Sequence, residues 1–408
     1  MKFNPFRPNS IASSELFQGR VEEMSFIERS LFQTKNGNPM HFLIEGERGL
    51  GKSSLFLRVA EQASGTSPLS DGKFVNFIVL NLELDASQSF FDVLKMIAAD
   101  FKRAISEREK VKSLASNVWD FLNKWEVLGV RYHKIDQNLV QPYEILNDLV
   151  INFERVLLAT KGEIDGILIL LDEADRPSEK ASLGELIKLM TEKLSKRVCD
   201  QVLIGMTGQP GLVAKLKASH ESSSRIFTIL NLKPLQENEN MDVINSGLMI
   251  SNKINPQATI IDSDAIQLIS QLSEGYPHFL QEFSFKAFES DTDYHISIDD
   301  VKEGAFGMDG ALNQLGHKYF NELFFNQIGS DDYRRVLRAM SKYSDNWVNR
   351  IMIKNEIDIK DTTLNNALQA LKTRSIIITN PAHSGEFKLP TKSFATWIKA
   401  FDTLESQF

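Results

Sequence analysis

The sequence predicts an α/β fold organised around a parallel sheet, and three observations support this. An apolar run at residues 41–44 leads into a glycine-rich loop and then a helical pattern. A second apolar run, residues 166–171, ends in the acidic pair Asp172-Glu173. A third, residues 201–206, ends in Thr207 before a Gly/Pro break. Unbroken apolar runs of this length are typical of strands covered on both faces, as in parallel sheets.

The glycine-rich loop has the spacing of a phosphate-binding P-loop, Gly-x-x-x-x-Gly-Lys-Ser. Glycines let the backbone curl so that successive N–H groups point at an anion, and the following helix directs its positive N-terminal end to the same place. In this pattern Lys52 reaches the β- and γ-phosphates of ATP, and Ser53 binds Mg²⁺. The predicted nucleotide-binding residues of the loop are Gly46, Glu47, Arg48, Gly49, Leu50, Gly51, Lys52, Ser53 and Ser54.

The other half of the predicted site lies at the ends of the second and third apolar runs. The carboxyl end of a central strand is where an α/β sheet places its ligand chemistry. We expect Asp172 to hold Mg²⁺ through water and Glu173 to orient and polarise the attacking water. Thr207 is placed to hydrogen-bond the γ-phosphate or that water. Together with Lys52, these residues predict ATP hydrolysis to ADP and phosphate.

Composition limits the other classes of protein. The 408 residues are enough for two or three domains, and no apolar run is long enough to cross a bilayer. Met1-Lys2-Phe3-Asn4 does not begin a cleavable signal. A single cysteine, Cys199, excludes an internal disulfide, and the seven histidines show no zinc spacing. The net charge of -8 argues against a generally basic nucleic-acid coat. We expect a soluble, cytoplasmic protein without a membrane partner.

Four parts follow one another along the chain. We predict an extended N-terminal arm at residues 1–16, an α/β core at 17–235, a helical lid at 236–328 and a winged-helix domain at 329–408. The core carries an insertion at about 106–141 with Trp119 and Trp125. Because aromatic residues carry much interface energy, the insertion predicts a docking surface for a partner. An amphipathic helical hairpin packed on its own domain explains the same residues.

The order of these motifs resembles a known family. The P-loop, Asp172-Glu173, the strand ending at Thr207-Gly208 and the Ser-Arg before the next strand look like the ASCE division of P-loop ATPases. Within it, the chain is similar to AAA+ initiators of the origin-recognition kind and to STAND ATPases. The resemblance implies that Gly19-Arg20 lies against the adenine. It also implies that Arg225 serves as an arginine finger in a neighbour's site, which requires a homo-oligomer. A surface arginine at a helix C-terminus is the alternative for Arg225.

The pattern Gly275-Tyr-Pro277 resembles the lid subdomain of STAND and archaeal-type ATPases, where it leans on the nucleotide. Pro277 and His278 are therefore expected nucleotide contacts. Many AAA+ proteins place a sensor arginine nearby, whereas this chain has His278, which implies slow hydrolysis.

The last 80 residues show the pattern of a winged helix, with helices at about 333–340 and 363–372 and a hairpin at 375–389. Such a domain places its recognition helix in the major groove of DNA. Asn365, Asn366, Gln369, Lys372 and Arg374 are the candidate contacts. In STAND proteins the same domain mostly holds the nucleotide site shut, so both roles stay open.

Three functions are consistent with these features. The first is an oligomeric ATPase switch that regulates a separate effector protein, as the resemblance to bacterial antiviral defence ATPases implies. The second is an initiator or transposition-type ATPase that binds DNA through residues 329–408. The third is a scaffold that binds ATP or ADP without hydrolysis, against which the intact Lys52, Asp172 and Glu173 argue.

Overall fold

The computed structural model describes residues 2–10, 16–114, 142–344, 346–380 and 383–405. The chain divides into two compact units, which we call the sheet unit, Gly19–Lys233, and the helical unit, Met1–Gln18 with Pro234–Phe408. Trp119 and Trp125, with the docking surface predicted on them, lie outside the described residues. Within the described residues, no helix is long and apolar enough to span a membrane.

The sheet unit is a five-stranded parallel sheet with the order β2-β3-β4-β1-β5. The strands are β1 Phe42–Glu45, β2 Phe77–Glu83, β3 Gly166–Asp172, β4 Val202–Gly208 and β5 Thr228–Asn231. The helices are α1 Val21–Lys35, α2 Lys52–Ala63, α3 Phe90–Ser106, α4 Glu109–Leu114, α5 Pro142–Ala159, α6 Leu183–Lys196 and α7 Leu212–Ser219. In this order β4 lies between the P-loop strand β1 and the Asp172 strand β3.

The apolar runs form the centre of this sheet. The first six residues of β3 and all seven of β4 are buried, as expected of strands covered on both faces. Gly205 lies on β4 directly over the ring of Phe42, where a Cβ would come within 2.4 Å of that ring. Helix α3 begins with a capping box between Ser89 and Asp92. The candidate site lies at the carboxyl ends of β1, β3 and β4.

The helical unit contains short strand pairs and a series of helices. Its first part has α8 Glu237–Ile254, β6 Ile260–Ile261, α9 Ser263–Ser273, α10 Pro277–Ser290, β7 His295–Ile296, α11 Ile298–Phe306 and α12 Ala311–Leu315. Two π-helical turns follow, Gly316–Phe320 and Glu322–Asn326. Helix α10 starts with proline at its first position. Proline fits there because the N–H group that it lacks would form no hydrogen bond within the helix.

The C-terminal part of this unit combines helices with a small antiparallel sheet. It has α13 Asp331–Ser341, β8 Val348–Asn349, α14 Arg350–Glu356, α15 Asp361–Thr373, β9 Ile378–Thr379, β10 Glu386–Lys388 and α16 Lys392–Glu405. The strand order is β8-β10-β9, and both pairs are antiparallel. Helices and an antiparallel hairpin therefore lie in the predicted segments, and the assignment of residues 329–408 as a winged-helix domain stays a prediction.

The N-terminal residues pack closely on the helical unit. Phe6 is 3% exposed and lies edge-on to the ring of Phe288. The side-chain amide of Asn255 accepts from the backbone N–H of Phe3 at 2.7 Å and donates to the carbonyl of Phe3 at 3.0 Å. Lys2 forms an ion pair with Asp291. This segment has no regular secondary structure, but it buries an aromatic side chain in the core of the unit.

Candidate functional site

The loop between β1 and α2 has the backbone that a phosphate cradle requires. Gly49 and Gly51 have φ values of 88° and 84°, in the left-handed region that favours glycine. Gly46 has an ordinary φ, but a Cβ there would lie 3.0 Å from Cβ of Leu232, so its small size serves a close approach. The N–H of Gly46 donates to the carbonyl of Gly208 at 3.1 Å, which joins the loop to the end of β4.

Lys52 is the first residue of α2, and its ammonium group lies over the loop. Its Nζ donates to the carbonyls of Gly46 at 2.7 Å and Glu47 at 2.9 Å. Burial lowers the pKa of Lys52, and the nearby Asp172 and Asp175 oppose that shift. The structure thus places the ammonium group of Lys52 at the predicted phosphate-binding loop.

Asp172 connects three parts of the site. Its Oδ2 accepts a hydrogen bond from Oγ of Ser53 at 2.6 Å, which joins β3 to the first turn of α2. Its Oδ1 accepts from Oγ1 of Thr207, which is fully buried at the end of β4. The same oxygen accepts from the N–H of Glu173 at 2.8 Å. The structure therefore brings together four predicted residues from three segments that are far apart in sequence. The predicted contact of Thr207 with phosphate or water stays a prediction.

Glu173 stands in a strained turn and is paired with an arginine. Its φ of 53° lies in the left-handed region, which is uncommon for residues other than glycine. Its carboxylate forms an ion pair with Nε of Arg176, three residues later. Burial raises the pKa of Glu173, Arg176 opposes this, and Glu83 adds to it. The Arg176 pairing was not predicted from the sequence, although the spacing of three residues in a turn is a usable signal.

Arg20 is buried beside the loop rather than projecting from it. Its side chain donates from Nη2 to the carbonyl of Leu50 at 3.0 Å and from Nη1 to the carbonyl of Lys233 at 2.5 Å. Gly19 and Arg20 both have positive φ, 75° and 59°, as the chain enters α1. The guanidinium also lies 3.7 Å from the carboxylate of Glu23. The expected contact of Gly19 and Arg20 with adenine stays a prediction.

Arg225 lies at the opposite end of the sheet from the loop. It is exposed in the 3₁₀ turn Glu221–Ile226, just before β5. Thr228, the first residue of β5, pairs with Phe42, the first residue of β1, and the loop follows the last residue of β1. Because the two strands are parallel, the sheet itself separates Arg225 from the loop of its own chain.

The two predicted lid contacts lie in the helical unit. Pro277 opens α10, and the His278 ring lies edge-on to that of Tyr319, 5.1 Å between centroids. Their predicted contact with a nucleotide bound to the sheet unit stays a prediction.

Polar residues missed in the sequence hold the turns around the site. Oε1 of Glu45 accepts from the backbone N–H groups of Gly211 at 3.0 Å and Val213 at 2.9 Å, so this carboxylate fixes the start of α7. Oδ1 of Asp175 accepts from the N–H of Gln209 at 2.9 Å. Glu45 is the last residue of β1 and Asp175 lies in the turn after β3, and the partners of both carboxylates are distant in sequence.

The sheet order, the P-loop between β1 and α2 and the acidic pair ending β3 define a P-loop NTPase fold of the AAA+ type. The chain matches no protein-family model. It is 24% identical over 257 residues to an uncharacterized HTH-type transcriptional regulator of Methanocaldococcus jannaschii. That match covers 60% of this chain and 56% of the relative, so the chain spans about half the length of the relative.

Two similar solved structures are those of the Aeropyrum pernix ORC2 protein. The one with ADPNP and ADP has a TM-score of 0.57 at 13% identity and covers 99% of this chain and 97% of that chain. The ADP form has a TM-score of 0.52 at 15% identity, with the same two coverages. At these identities the similarity establishes the shared fold.

Proposed function

We propose that this chain binds Mg-ATP at the P-loop, hydrolyses it, and acts as a nucleotide-controlled switch. The observation that carries the proposal is the position of Asp172. Its carboxylate accepts a hydrogen bond from the hydroxyl of Ser53, the residue after Lys52, whose ammonium group contacts the glycine-rich loop. A carboxylate and a hydroxyl at this point of a P-loop fold are the groups that hold Mg²⁺ beside a triphosphate. The ADPNP and ADP bound to the A. pernix ORC2 protein support the nucleotide assignment.

The donor set fits a nucleotide-bound magnesium ion. Mg²⁺ is usually held by one or two protein oxygens together with phosphate oxygens and water, rather than by a cage of side chains. Ser53 and Asp172 provide two such oxygens 2.6 Å apart. Within the described residues, no group of three or more His, Cys, Asp or Glu side chains is arranged to hold a metal, which agrees with a metal that depends on the nucleotide.

The phosphates would be held by backbone N–H groups of the loop and by Lys52. For this the ammonium group exchanges the carbonyls of Gly46 and Glu47 for phosphate oxygens. The bound Mg²⁺ would neutralise phosphate charge, and Glu173 would accept a hydrogen bond from the attacking water. Glu173 does this only if its pairing with Arg176 opens or leaves one carboxylate oxygen accessible.

The proposal is tested by calorimetric titration with Mg-ATP and by a phosphate-release assay on the purified full chain. We expect binding that depends on Mg²⁺ and slow release of phosphate. Binding without release would favour the scaffold function predicted as the third alternative. Absence of binding would remove the proposal.

Replacing Arg225 by alanine should lower turnover about tenfold or more and leave ATP affinity unchanged, if this arginine acts in a neighbour's site. The sheet separates Arg225 from its own loop, so only another copy of the chain brings it to a nucleotide. The measurement is phosphate release from Arg225→Ala, from Glu173→Gln, and from an equal mixture of the two.

Activity that reappears in the mixture supports a finger acting between subunits, since one interface then combines an intact Glu173 with an intact Arg225. Two inactive variants that stay inactive together contradict it. The masses of the single variants with Mg-ATP show whether an oligomer forms at all.

Duplex DNA is the second component that we propose for this switch. The exposed face of α15 favours it, because Asn and Gln side chains suit adenine edges and a lysine suits phosphate. The buried residues of α15 are Leu364, Ala367, Leu368 and Leu371. The exposed residues are Asn365, Asn366, Gln369 and Lys372. The HTH-type regulator of M. jannaschii, by its name, is consistent with this role.

The charges around α15 indicate modest DNA affinity. Arg350 and Lys354 both pair with Asp361 at the start of α15, at 2.6 and 2.7 Å. These two cations are therefore partly neutralised before any phosphate approaches. Arg374 donates to the carbonyl of Gln327 at 2.5 Å and thus also serves the fold.

Replacing Lys372 by glutamate should weaken duplex binding for all sequences alike and lower the salt-dependence slope by about one. The reason is that a phosphate contact carries affinity without base information. The measurement is fluorescence anisotropy of a labelled duplex at several salt concentrations, with Lys253→Glu on exposed α8 as the matched control. Equal losses in both variants would show a general charge effect and contradict DNA binding by α15.

Regulation of a separate effector protein, including antiviral defence, stays a prediction from the sequence. The mass of the oligomer that forms with ATP distinguishes the two functions. If the partner is an effector protein, adding duplex DNA should leave this mass unchanged.

A further inference from the structure

We propose that Arg20 is a positioning residue that holds the phosphate loop in its binding conformation and links it to both chain connections of the sheet unit. This inference rests on the proposed binding of ATP at the loop. It assigns Arg20 a role through the protein backbone, in addition to any contact with the nucleotide base.

The contacts of Arg20 reach two segments that are far apart in sequence. Nη2 donates to the carbonyl of Leu50, which lies inside the loop between Gly49 and Gly51. Nη1 donates to the carbonyl of Lys233. Arg20 is 6% exposed; its bond to Leu50 is buried, its bond to Lys233 is partly buried, and Nη1 also lies 3.7 Å from the carboxylate of Glu23. A guanidinium group has fixed, forked donors, which makes it suited to holding two acceptors at a set separation.

Leu50 is the residue that fixes the loop on this side. Its side chain is 2% exposed. The peptide that Arg20 holds therefore lies between an inward-packed side chain and the first turn of α2, with the left-handed glycines Gly49 and Gly51 on either side. Such glycines give the backbone other accessible conformations, so the hydrogen bond from Arg20 selects one of them.

The position of Arg20 also makes it a link to the rest of the chain. The sheet unit begins at Gly19 and ends at Lys233, so these are its only two connections to the helical unit among the described residues. Arg20 follows the first connection directly and donates to the residue at the second. Any shift of the loop on phosphate binding is thus transmitted by one side chain to both connections. This is the physical link that a nucleotide-controlled switch requires.

The loss of this side chain should weaken binding without removing any predicted phosphate ligand. In Arg20→Gln, the carbonyl of Leu50 loses a charged donor in a buried place, and the carbonyl of Lys233 loses one in a partly buried place. We expect the dissociation constant for Mg-ATP to rise about 10- to 100-fold in this variant. The rise should be smaller in Arg20→Lys, which keeps the positive charge but lacks the two forked nitrogen donors of the guanidinium group. Calorimetric titration of the full chain measures both.

Arg108→Gln is the matched control. Its guanidinium also donates to a backbone carbonyl, that of Phe77 at 2.9 Å, but at the amino-terminal end of β2, away from the loop. A merely structural role for Arg20 predicts that both glutamine variants lower the unfolding midpoint and leave ATP affinity unchanged. That result would overturn the inference. If Arg20→Gln does not fold, Arg20→Lys alone decides it by the same comparison.

Hydrogen exchange separates this inference from the proposed function. Without any nucleotide, we expect faster exchange in peptides covering residues 47–52 of Arg20→Gln than in the parent chain, and no change there in Arg108→Gln. With saturating Mg-ATP, protection of residues 228–236 should appear in the parent and be lost in Arg20→Gln. A parent that binds no ATP contradicts the proposed function, whereas unchanged loop exchange in Arg20→Gln contradicts the role of Arg20.

Discussion

Replacing Glu173 by glutamine is expected to lower ATP turnover about 10²- to 10⁴-fold while ATP affinity stays nearly the same. The amide has the same shape as the carboxylate but cannot accept the proton of the attacking water. Lys52, Ser53 and Asp172 are untouched, so the groups proposed to hold the phosphates and Mg²⁺ remain. Phosphate release in single-turnover conditions gives the rate, and calorimetry gives the affinity.

The environment of Glu173 predicts how the rate depends on pH. Burial raises the pKa of this carboxyl, and Arg176 opposes the shift. A general base must be ionised, so the rate should fall as the pH drops through this raised pKa. The fall is expected at a higher pH than for an ordinary glutamate. In Glu173→Gln the remaining turnover rate should no longer show this fall at low pH.

Asp175→Asn provides the matched control for this variant. It also neutralises a carboxylate near Lys52, yet an asparagine oxygen still accepts from the N–H of Gln209. A loss of turnover limited to Glu173→Gln therefore reports the base. Equal losses in the two variants would show that the charge of the acidic turn matters rather than the base, and unchanged turnover in Glu173→Gln would remove its assignment.

The parts of the site predicted from the sequence are those with a strong local pattern. Lys52 and Ser53 follow a glycine spacing that few other structures require, and Asp172 and Thr207 directly end apolar strands. Parallel pairing then brings the ends of β3 and β4 together, since their register aligns Leu171 with Met206. Periodicity and topology were sufficient to predict that these side chains lie close together, and their roles toward nucleotide and Mg²⁺ stay predictions.

The parts that were not predicted depend on contacts between distant segments. Arg20 meets Leu50 and Lys233 only after the whole sheet unit has folded, and no local pattern marks that pairing. The prolines of residues 1–16 predict an extended arm, but they do not show that Phe6 is buried. Asp361 reduces the free charge near α15 by pairing with Arg350, which sequence counts do not show. Side-chain partners of this kind are decided by tertiary packing.

Replacing Lys52 by alanine is expected to weaken Mg-ATP binding by about 100-fold or more, because the variant loses the ammonium group that lies over the loop and is proposed to contact the phosphates. The stabilising effect of the nucleotide should disappear with it. A ligand at 100 times its dissociation constant stabilises a protein by about 2.7 kcal/mol, and a 100-fold weaker one by only a few tenths. Thermal unfolding with and without Mg-ATP measures this directly.

The same variant separates a binding role of Lys52 from a structural one. Its ammonium group is desolvated, as the lowered pKa shows, and it forms two bonds to loop carbonyls, so its removal has opposing effects on stability. We therefore expect little change in the unfolding midpoint without nucleotide. Lys215→Ala is the control, because that lysine donates to the backbone carbonyl of Asp175 near the same acidic turn. A midpoint that still rises with Mg-ATP in Lys52→Ala, as it does in the control, would mean that the nucleotide binds elsewhere on the chain.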